Sequence, residues 1–452
     1  MNIVILAAGL GKRMYSSLPK VLQPVGGKPM LDHVLAAAKQ VSSEGKIIVV
    51  VGHGAESVMS HLDGEPVSFA LQAEQKGTGH AVLQAERYLD PSSPTLVLYG
   101  DVPLITADTL KKLVQAAEGG FGLLTIDLDD PTGYGRIIRE NGEIKRIVEE
   151  KDADSEQEKV REVNTGFMLV PTPDLTRWLK NLRCDNNQQE YYLTDLVGMA
   201  ASEGRTVHAF KATDPWEVEG ANNKLQLEAL ERAYQARQAV ALMKQGVLLA
   251  DKNRLDIRGN LKCGRDVFID AGCVFEGDVV IEDNVKIGPY CVIKSSVIGS
   301  GTTVEAYSHF DGATVGKNAK IGPFARLRPL AELSDDVHIG NFVEIKKSSI
   351  GAASKVNHLS YIGDTAMGSG VNIGAGTITC NYDGVNKFRT VIEDDCFIGS
   401  DTQLVAPVKV GKGATVGAGT TVTKNVSENV LVISRVRQTE IQGWQRTVKK
   451  KI

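Results

Sequence analysis

The stretch VFIDAGCVFEGDVVIEDNVKIGPYCVI, Val267–Ile293, decides the fold of the second half of the chain. An apolar residue recurs in it at every sixth position, with Gly, Asp and Asn in between. A period of six fits neither a helix nor an amphipathic strand, and it is typical of a parallel β-helix in which each hexapeptide forms one side of a triangular coil. The row comprises Ile269, Phe275, Ile281, Ile287 and Ile293, then Ile321, Leu327, Leu333, Ile339 and Ile345, and later Ile392, Ile398, Leu404, Val410, Val416 and Val422.

A second apolar row lies two residues ahead of the first and comprises Val267, Cys273, Val279, Val285, Cys291 and Val297. We expect both rows to fill the interior of the coils, with the cysteines packing as small hydrophobic side chains. The repeat breaks around Ser349–Met367 and around Asn381–Val391. These breaks predict two inserted loops, and loops on a rigid scaffold are where functional residues concentrate.

The first half of the chain alternates short apolar runs with segments of helical spacing. Such alternation predicts an α/β domain with a mainly parallel sheet, whose ligands bind at the carboxyl ends of the strands. The expected strands are Ile3–Leu6, Lys46–Val51 and Thr95–Tyr99, and the expected helices are Met30–Lys39, Gly54–His61 and Thr78–Arg87.

A proline-free segment from about residue 219 to residue 245 has the period of a single long helix. Its shared face comprises Leu227, Leu230, Tyr234 and Ala241. The change of period on either side of it predicts three parts. These are an α/β domain at 1–224, a connecting helix at 225–245 and a β-helix domain at 246–452.

The 452 residues carry 51 Lys and Arg against 55 Asp and Glu, which gives a formal net charge of −4. A nucleic-acid-binding protein carries a basic excess, so we expect no nucleic-acid partner. No apolar run approaches the roughly 20 residues of a membrane span, and the chain opens on a strand pattern without a signal peptide. The six cysteines form no CxxC pair and no metal-ligand spacing, which predicts reduced thiols and a cytoplasmic location.

A glycine-rich turn, Leu6-Ala7-Ala8-Gly9-Leu10-Gly11-Lys12-Arg13-Met14, follows the first expected strand. Its two glycines let a phosphate approach the backbone N–H groups, and Arg13 and the nearby Lys20 supply positive charge. Taken singly, either cation is more often a solvated surface charge.

Asp101, in Tyr99-Gly100-Asp101-Val102-Pro103, comes at the carboxyl end of an expected strand. A carboxylate there is well placed to hold Mg²⁺ against nucleotide phosphates, because Mg²⁺ takes hard oxygen ligands and few of them from the protein. A turn or helix N-cap aspartate fits the same position equally well.

Together these motifs resemble the glycine-rich start, the Pro-Lys and the Gly-Asp metal site of the sugar-nucleotide pyrophosphorylases, with Lys12 where Thr is usual. Gln72–His80 is similar to the uracil-reading segment of the uridylyltransferases in that group. Glu217–Asn223 is similar to the segment whose first Asn is the second metal ligand.

This resemblance implies a Rossmann-like nucleotidyltransferase domain in which Arg13 and Lys20 are catalytic and Asp101 and Asn222 bind the metal. The residues implied to bind UTP or UDP-N-acetylglucosamine are Leu6, Ala7, Ala8, Gly9, Lys20, Gln72, Gly77, Thr78, Tyr99, Gly100, Asp101, Gly135, Glu149, Asn164 and Asn222.

In the second half, cations and a histidine gather near the first break of the repeat. Arg328 and Lys346 are suited to a sugar phosphate, and a neutral His358 is suited to take a proton from an amine. A lone histidine near a coil corner is more often a hydrogen-bonded structural residue. Its neighbours Arg328, Lys346 and Tyr361 favour the catalytic interpretation.

Over its whole length the chain resembles the bacterial family of bifunctional N-acetylglucosamine-1-phosphate uridyltransferases and glucosamine-1-phosphate N-acetyltransferases. The run Val371–Gly384, VNIGAGTITCNYDG, is nearly a signature of that family. Leu330 and Gly417 depart from the usual Gly and Ala, beside residues that match. The resemblance implies a left-handed parallel β-helix with His358 as the proton acceptor. The residues implied to hold the sugar phosphate are Arg328, Lys346, Tyr361 and Asn372, and those implied to meet acetyl-CoA are Ala375, Asn381, Tyr382, Ser400, Ala418 and Arg435.

The resemblance also implies the reactions. The β-helix domain acetylates glucosamine 1-phosphate with acetyl-CoA, and the first domain joins N-acetylglucosamine 1-phosphate to UTP with Mg²⁺, releasing pyrophosphate. It further implies a homotrimer. Two interpretations of the tail Lys449–Lys451 stay open, a contact with the coenzyme in a neighbouring subunit and a frayed, solvated end.

Two other functions remain open from the sequence. The first is a nucleotidyltransferase for another sugar or base whose β-helix serves only assembly or regulation, and Gln72–His80 and His358 speak against it. The second is a non-catalytic scaffold that binds nucleotide to regulate a partner. That function predicts that the phosphate-binding and metal-binding residues are replaced. The expected residues are all present, namely Arg13, Lys20, Asp101 and Asn222.

Overall fold

The computed structural model describes residues 1–446, and the tail Lys449–Lys451 lies outside them. The chain divides into two compact units, Met1–Gln235 and the residues from Ala236 onward, so the division falls inside the long helix. Within residues 1–446 no helix is long and apolar enough to cross a bilayer.

The first unit is an α/β fold built on one nine-stranded sheet and a separate two-stranded sheet, Pro24–Val25 with Lys28–Pro29. Its strands are β1 (Asn2–Ala7), β2 (Pro24–Val25), β3 (Lys28–Pro29), β4 (Lys46–Val51), β5 (Ser68–Leu71), β6 (Thr95–Tyr99), β7 (Phe121–Asp127), β8 (Arg136–Glu140), β9 (Glu143–Val148), β10 (Glu162–Val170) and β11 (Val207–Lys211). Its helices are α1 (Met30–Val41), α2 (Ala55–His61), α3 (Thr78–Gln84), α4 (Ala107–Ala116), α5 (Thr172–Leu179) and α6 (Asp195–Ser202), followed by α7 (Lys224–Lys244), which continues into the second unit.

The sheet has the order β11-β7-β10-β6-β1-β4-β5, and a β8–β9 hairpin joins it beside β10. Strand β1 pairs in parallel with β4 and β6, which confirms the α/β prediction. Helices cover both faces, so Ile3 and Val4 of β1 are each fully buried in a different core. Strand β10 runs antiparallel to β6 and β7, and its register shifts between Asn164 and Met168.

Helix α7 spans Lys224–Lys244, within one residue of the predicted 225–245 at each end, and it begins five residues after the start of the helical pattern near residue 219. Leu230 and Ala233 pack into a third, smaller core of the first unit. Ala239 and Leu242, further along, pack into the core of the second unit. One helix thus contributes apolar side chains to a core of each unit.

The second unit is a parallel β-helix with three faces. Face one consists of Leu248–Leu249, Phe268–Ile269, Lys286–Ile287, Thr303–Val304, Lys320–Ile321, His338–Asn341, Lys355–His358, Asn372–Ile373, Phe397–Ile398, Thr415–Val416 and Leu431–Val432. Faces two and three share the long strands Leu255–Cys263 and Cys273–Ile281. Face two continues with Val292–Lys294, His309–Asp311, Arg326–Leu327, Glu344–Lys346, Tyr361–Gly363, Ile378–Cys380, Gln403–Val405 and Thr421–Val422, and face three with Val297–Ile298, Thr314–Val315, Ala331–Leu333, Ser348–Ile350, Thr365–Met367, Thr390–Ile392 and Val408–Val410.

The main apolar row fills the interior as predicted, and none of its members is more than 4% exposed. The prediction that the second row also lies in the interior is wrong at Val297, which is 39% exposed. The coil there is one residue short of 18, because Val280 pairs with Val297, and Ser296 takes the interior position instead. A period of six therefore misplaces residues wherever a coil is shortened.

The same shortening makes one predicted loop wrong. Ser349–Met367 is regular β-helix, and its pattern breaks only because Ile350 pairs with Met367, 17 residues on. The other predicted loop is confirmed. Met367 pairs with Ile392, 25 residues on, so Asn381–Val391 contains the extra residues.

Candidate active sites

A cavity of about 880 Å³ opens in the first unit where β1 and β6 end. Parallel strands place their following turns at one edge of the sheet, which is where ligands bind in such folds. The residues predicted for nucleotide binding that line this cavity are Leu6, Ala7, Ala8, Gly9, Lys20, Gln72, Gly77, Thr78, Tyr99, Asp101 and Asn222.

The glycine-rich turn forms one wall of this nucleotide cavity. Gly11 has a left-handed φ of 57°, and a Cβ atom there would lie 3.0 Å from the Cβ of Lys20. Glycine therefore lets the turn pack against Lys20. Arg13 lies in the 3-10 helix Lys12–Met14, and its exposed side chain lines the same cavity.

The two predicted metal ligands meet at one ammonium group. Lys20 Nζ forms an ion pair with Asp101 and donates a hydrogen bond to Asn222 Oδ1 at 3.1 Å. The side chains of Lys20 and Asp101 are only 14% and 16% exposed. Two hard oxygens that converge on one cation suit Mg²⁺, whose remaining positions water and phosphate fill.

The predicted uracil-reading segment is held by its own hydrogen bonds. Gln72 is 3% exposed, and its Nε2 donates to the Gly77 carbonyl oxygen at 3.1 Å and lies 3.1 Å from His80 Nδ1. The Gly79 N–H donates to the Tyr191 carbonyl oxygen at 2.8 Å. Burial lowers the pKa of His80, which keeps the ring neutral beside the amide. The Gln72 amide is thus fixed in the cavity wall.

Four predicted residues lie outside the lining of this cavity. Gly100 donates its N–H to the Leu6 carbonyl oxygen at 2.9 Å and so joins the ends of β6 and β1. Gly135, Glu149 and Asn164 gather into a separate group, in which the Asn164 N–H donates to the Gly135 carbonyl oxygen at 2.8 Å. Burial raises the pKa of Glu149. Asn164 is the neighbour on β10 of Thr165, which lines the nucleotide cavity, and Glu149 lines a separate cavity of about 350 Å³.

Sequence reasoning missed a contact across the cavity. Tyr134 Oη donates a hydrogen bond to Glu219 Oε2 at 2.7 Å, and both side chains line the cavity. Burial, and then this hydrogen bond, raise the pKa of Tyr134. Tyr134 stands beside Gly135 in Gly-Tyr-Gly-Arg, and Glu219 stands in Glu217–Asn223, so both motifs were visible. Their pairing arises only from the folded sheet.

The charges on the cavity wall do not by themselves favour an anionic ligand. Its cations are Arg13 and Lys20, and its carboxylates are Asp101, Asp130, Glu190 and Glu219. An anionic ligand that enters such a site meets net negative charge, which a bound cation would offset.

In the second unit, several predicted acetyl-transfer residues share one corner. The register pairs Asn341 with His358, whose Nδ1 lies 3.3 Å from Asn341 Oδ1. On the next coils of face one, Val356 pairs with Ile373, Ile373 with Ile398 and Ile398 with Val416. Two residues after each of these positions stand His358, Ala375, Ser400 and Ala418, which therefore lie one above another. We call His358, Ala375, Ser400 and Ala418 the corner row. Ala418 also lines a cavity of about 590 Å³ together with Arg435.

The predicted sugar-phosphate residues lie mainly on face two, next to that corner. The register pairs Glu344 with Tyr361 and Lys346 with Gly363. Glu344 Oε1 accepts a hydrogen bond from Arg328 at 2.9 Å. Lys346, Tyr361 and Arg328 therefore occupy neighbouring coils, while Asn372 faces outward on face one.

The insertion 381–391 carries the other two predicted coenzyme residues. Asn381 is 7% exposed at the base of the loop, and its Nδ2 donates to Asp364 Oδ2 at 2.5 Å. Tyr382 is 59% exposed, and its hydroxyl donates to the Gly384 carbonyl oxygen. The loop thus begins with one buried and one exposed candidate side chain.

Known proteins match both halves of the chain. Residues 3–131 match the MobA-like NTP transferase domain, residues 257–350 the GMPPB C-terminal domain, and residues 389–424 the bacterial transferase hexapeptide (six repeats). The bifunctional protein GlmU of Burkholderia vietnamiensis is 58% identical and covers 100% of both chains; that of Herminiimonas arsenicoxydans is 57% identical and covers 99% of both. A crystal structure of UDP-glucose pyrophosphorylase complexed with UDP-glucose is 21% identical, with a TM-score of 0.45, and covers 52% of this chain and 98% of its own.

Proposed function

Because this chain belongs to the GlmU family of bifunctional proteins, we propose that it carries out two successive steps of UDP-N-acetylglucosamine synthesis. The β-helix acetylates glucosamine 1-phosphate with acetyl-CoA, and the α/β unit then transfers uridylyl from UTP to N-acetylglucosamine 1-phosphate. The observation that carries this proposal is the 57–58% sequence identity to GlmU proteins over the full length. The identity extends over both units rather than over a single one.

In uridylyl transfer, an oxygen of the sugar phosphate attacks the α-phosphorus of UTP and pyrophosphate leaves. Arg13 and the backbone N–H groups of the glycine-rich turn face the phosphates, and Gln72 orients the base. Such catalysis consists mostly of positioning and of neutralising charge where the phosphates meet. The contacts of Lys20 with Asp101 and Asn222 in the nucleotide cavity support this role.

We assign Asp101 and Asn222 as the ligands of Mg²⁺. Their convergence on one cation and the excess of carboxylates on the cavity wall support this assignment. When bound, the ion supplies positive charge between protein carboxylate and nucleotide phosphate. Asp101 and Asn222 would hold the ion, and Lys20 would neutralise charge on the phosphates.

In acetyl transfer, the neutral amine of glucosamine 1-phosphate attacks the thioester carbonyl carbon of acetyl-CoA. His358 accepts the amine proton, and CoA leaves as the thiolate, which takes a proton. Arg328 and Lys346 hold the sugar phosphate, and the acetyl-CoA chain follows the corner row toward Arg435. The exposure of His358 and its neighbourhood to Tyr361 around one corner support the assignment.

One reaction mixture tests the whole proposal. The protein is incubated with glucosamine 1-phosphate, acetyl-CoA, UTP and Mg²⁺, and both free CoA and UDP-sugar are measured. We expect both products, and UDP-sugar only when acetyl-CoA is present. Release of UDP-sugar from another nucleotide or sugar phosphate at a comparable rate would favour a different nucleotidyltransferase.

We also propose a homotrimer assembled through the β-helix. Tyr290, Tyr307, Phe324 and Phe342 stack at the end of face one with ring centroids 5.0–5.4 Å apart. Each ring is 46–56% exposed, and Leu359, beside His358, continues the series. An exposed apolar row next to a candidate site favours coverage by a neighbouring subunit. Sedimentation velocity should give three times the chain mass, and a monomer that still acetylates would contradict the trimer.

We infer a cytoplasmic location as well. All six cysteines are free thiols, which suits a reducing compartment.

A further inference from the structure

Asp364 joins two side chains that the proposed function assigns to different substrates. It follows Gly363 at the corner between face two and face three, and its carboxylate is only 10% exposed. Lys346 Nζ, assigned to the sugar phosphate, lies 3.7 Å from Asp364 Oδ2. Asn381, assigned to acetyl-CoA, donates a hydrogen bond to the same oxygen at 2.5 Å.

Asp364 also closes the base of the insertion. Its side chain holds Asn381 where the loop begins, and its carbonyl oxygen accepts the N–H of Thr390, at 3.2 Å, where the loop ends. The other carboxylate oxygen lies 3.9 Å from Lys347 Nζ. The carboxylate therefore contacts one amide donor, that of Asn381, and two ammonium groups, those of Lys346 and Lys347.

The hydrogen bond fixes which way the Asn381 amide points. Because Nδ2 is committed to Asp364, the carbonyl oxygen of the amide lies on the opposite side. An added Cβ at Gly363 would lie 2.8 Å from Asn381 Nδ2 and in collision with Tyr361 Oη, so the two side chains meet above Gly363. Because Gly363 has no side chain, Asn381 and Tyr361 have room to approach each other above it, and the hydrogen bond to Asp364 orients Asn381.

We propose that Asp364 is a positioning residue for acetyl transfer, which holds Lys346 toward the sugar phosphate and Asn381 toward acetyl-CoA from a single buried carboxylate. The inference rests on the proposed acetyl transfer and adds a residue to it. In this proposal Asp364 acts on the two substrates through Lys346 and Asn381.

The test is the variant Asp364→Asn in the full chain. Asparagine keeps the size of the side chain and also tolerates the left-handed φ of 49°, so the backbone need not change. A hydrogen bond to a charged acceptor is stronger than one to a neutral acceptor. We therefore expect the KM for glucosamine 1-phosphate and the KM for acetyl-CoA each to rise on the order of tenfold. The thermal midpoint and uridylyl transfer should stay as in the wild type.

A double-mutant cycle shows whether Asp364 acts through Asn381. Asn381→Ala alone should raise the KM for acetyl-CoA, and adding Asp364→Asn should raise it no further, because the effects of coupled residues do not add. Asp395→Asn is the matched control, since Asp395 has a φ of 58° on another corner and lies 3.9 Å from Lys412. It should leave both KM values unchanged.

Three results would overturn the inference. One is an unchanged pair of KM values in Asp364→Asn. Another is a lower KM for glucosamine 1-phosphate, which would mean that Asp364 only repels the phosphate. The third is a fall in kcat and thermal midpoint with both KM values retained, which would make the residue structural. A wild-type protein that releases no CoA would instead overturn the proposed acetyl transfer, and this inference with it.

Discussion

Adding one methyl group at Gly363 should disable acetyl transfer without unfolding the β-helix. Gly363 is buried and has no left-handed φ, so the backbone accepts alanine. The new Cβ would lie 2.8 Å from Asn381 Nδ2 and closer still to Tyr361 Oη. Ordinary contacts begin near 3.4 Å, so Asn381 must recede by about 0.6 Å and Tyr361 by more.

A displacement approaching 1 Å in substrate-positioning side chains costs on the order of 10²-fold in rate. We therefore expect Gly363→Ala to lower kcat/KM for acetyl transfer by about that factor. CoA release measured with a thiol reagent gives this number, and uridylyl transfer in the same preparation shows that the protein is intact.

Gly312→Ala is the matched control for this change. Gly312 lies at the corner between face two and face three, one register position after that of Gly363. Its φ of 59° is a conformation that Ala353 adopts at 58°. A Cβ there would meet nothing closer than 3.6 Å, so no side chain has to move. Equal losses of acetyl transfer in the two variants would refute the collision argument. So would a Gly363→Ala variant with a normal rate.

Other changes probe the remaining assignments. His358→Ala should lower kcat of acetyl transfer by about 10²–10⁴-fold with little change in the KM for acetyl-CoA, because a general base is lost, and a near-normal kcat would return His358 to a structural role. Asp101→Ala should abolish uridylyl transfer and Asn222→Ala should weaken it strongly, with CoA release unchanged in both, as initial rates at several Mg²⁺ concentrations would show. A fragment ending near Gln245 should fold and transfer uridylyl without releasing CoA, and an inactive fragment would contradict the domain division. Burial lowers the pKa of His33, so the contribution of the neutral ring to the free energy of unfolding is present above pH ~6.5 and is lost as the pH falls. Urea unfolding followed by tryptophan fluorescence should therefore show a smaller loss of that free energy between pH 7 and 5 for His33→Gln than for the wild type.

The β-helix could be predicted because its periodic rows of buried residues depend on local spacing alone. Every member of the main row is buried, from Ile269 to Val422. The errors at Val297 and Ser349–Met367 have one cause, the coils of 17 residues, in which one side is a residue shorter. A hydrophobic pattern does not reveal whether a gap is a shortened side or an inserted loop. Only the strand registers separate the two.

The nucleotide cavity was predictable where its residues follow the ends of consecutive parallel strands. Leu6 and Asp101 are of this kind, because β1 and β6 are neighbours and end together. The contact between Tyr134 and Glu219 was not predictable, since these residues are 85 apart in the chain. The same holds for the buried carboxylate of Asp364, whose partners Lys346 and Asn381 lie one coil before it and one coil after it.

The corner row has a consequence for how long a molecule the β-helix can measure. His358, Ala375, Ser400 and Ala418 stand on four successive coils, and coils are stacked about 4.8 Å apart, so the row works as a ruler some 14 Å long. The spacing between its residues is set by the backbone hydrogen bonds between coils and does not depend on the side chains. Duplicating one 18-residue coil between His358 and Ala418 would lengthen the ruler by one graduation, and deleting one would shorten it. Under the proposed acetyl transfer, a change in the number of coils therefore selects a coenzyme arm of another length and leaves His358 on its own coil.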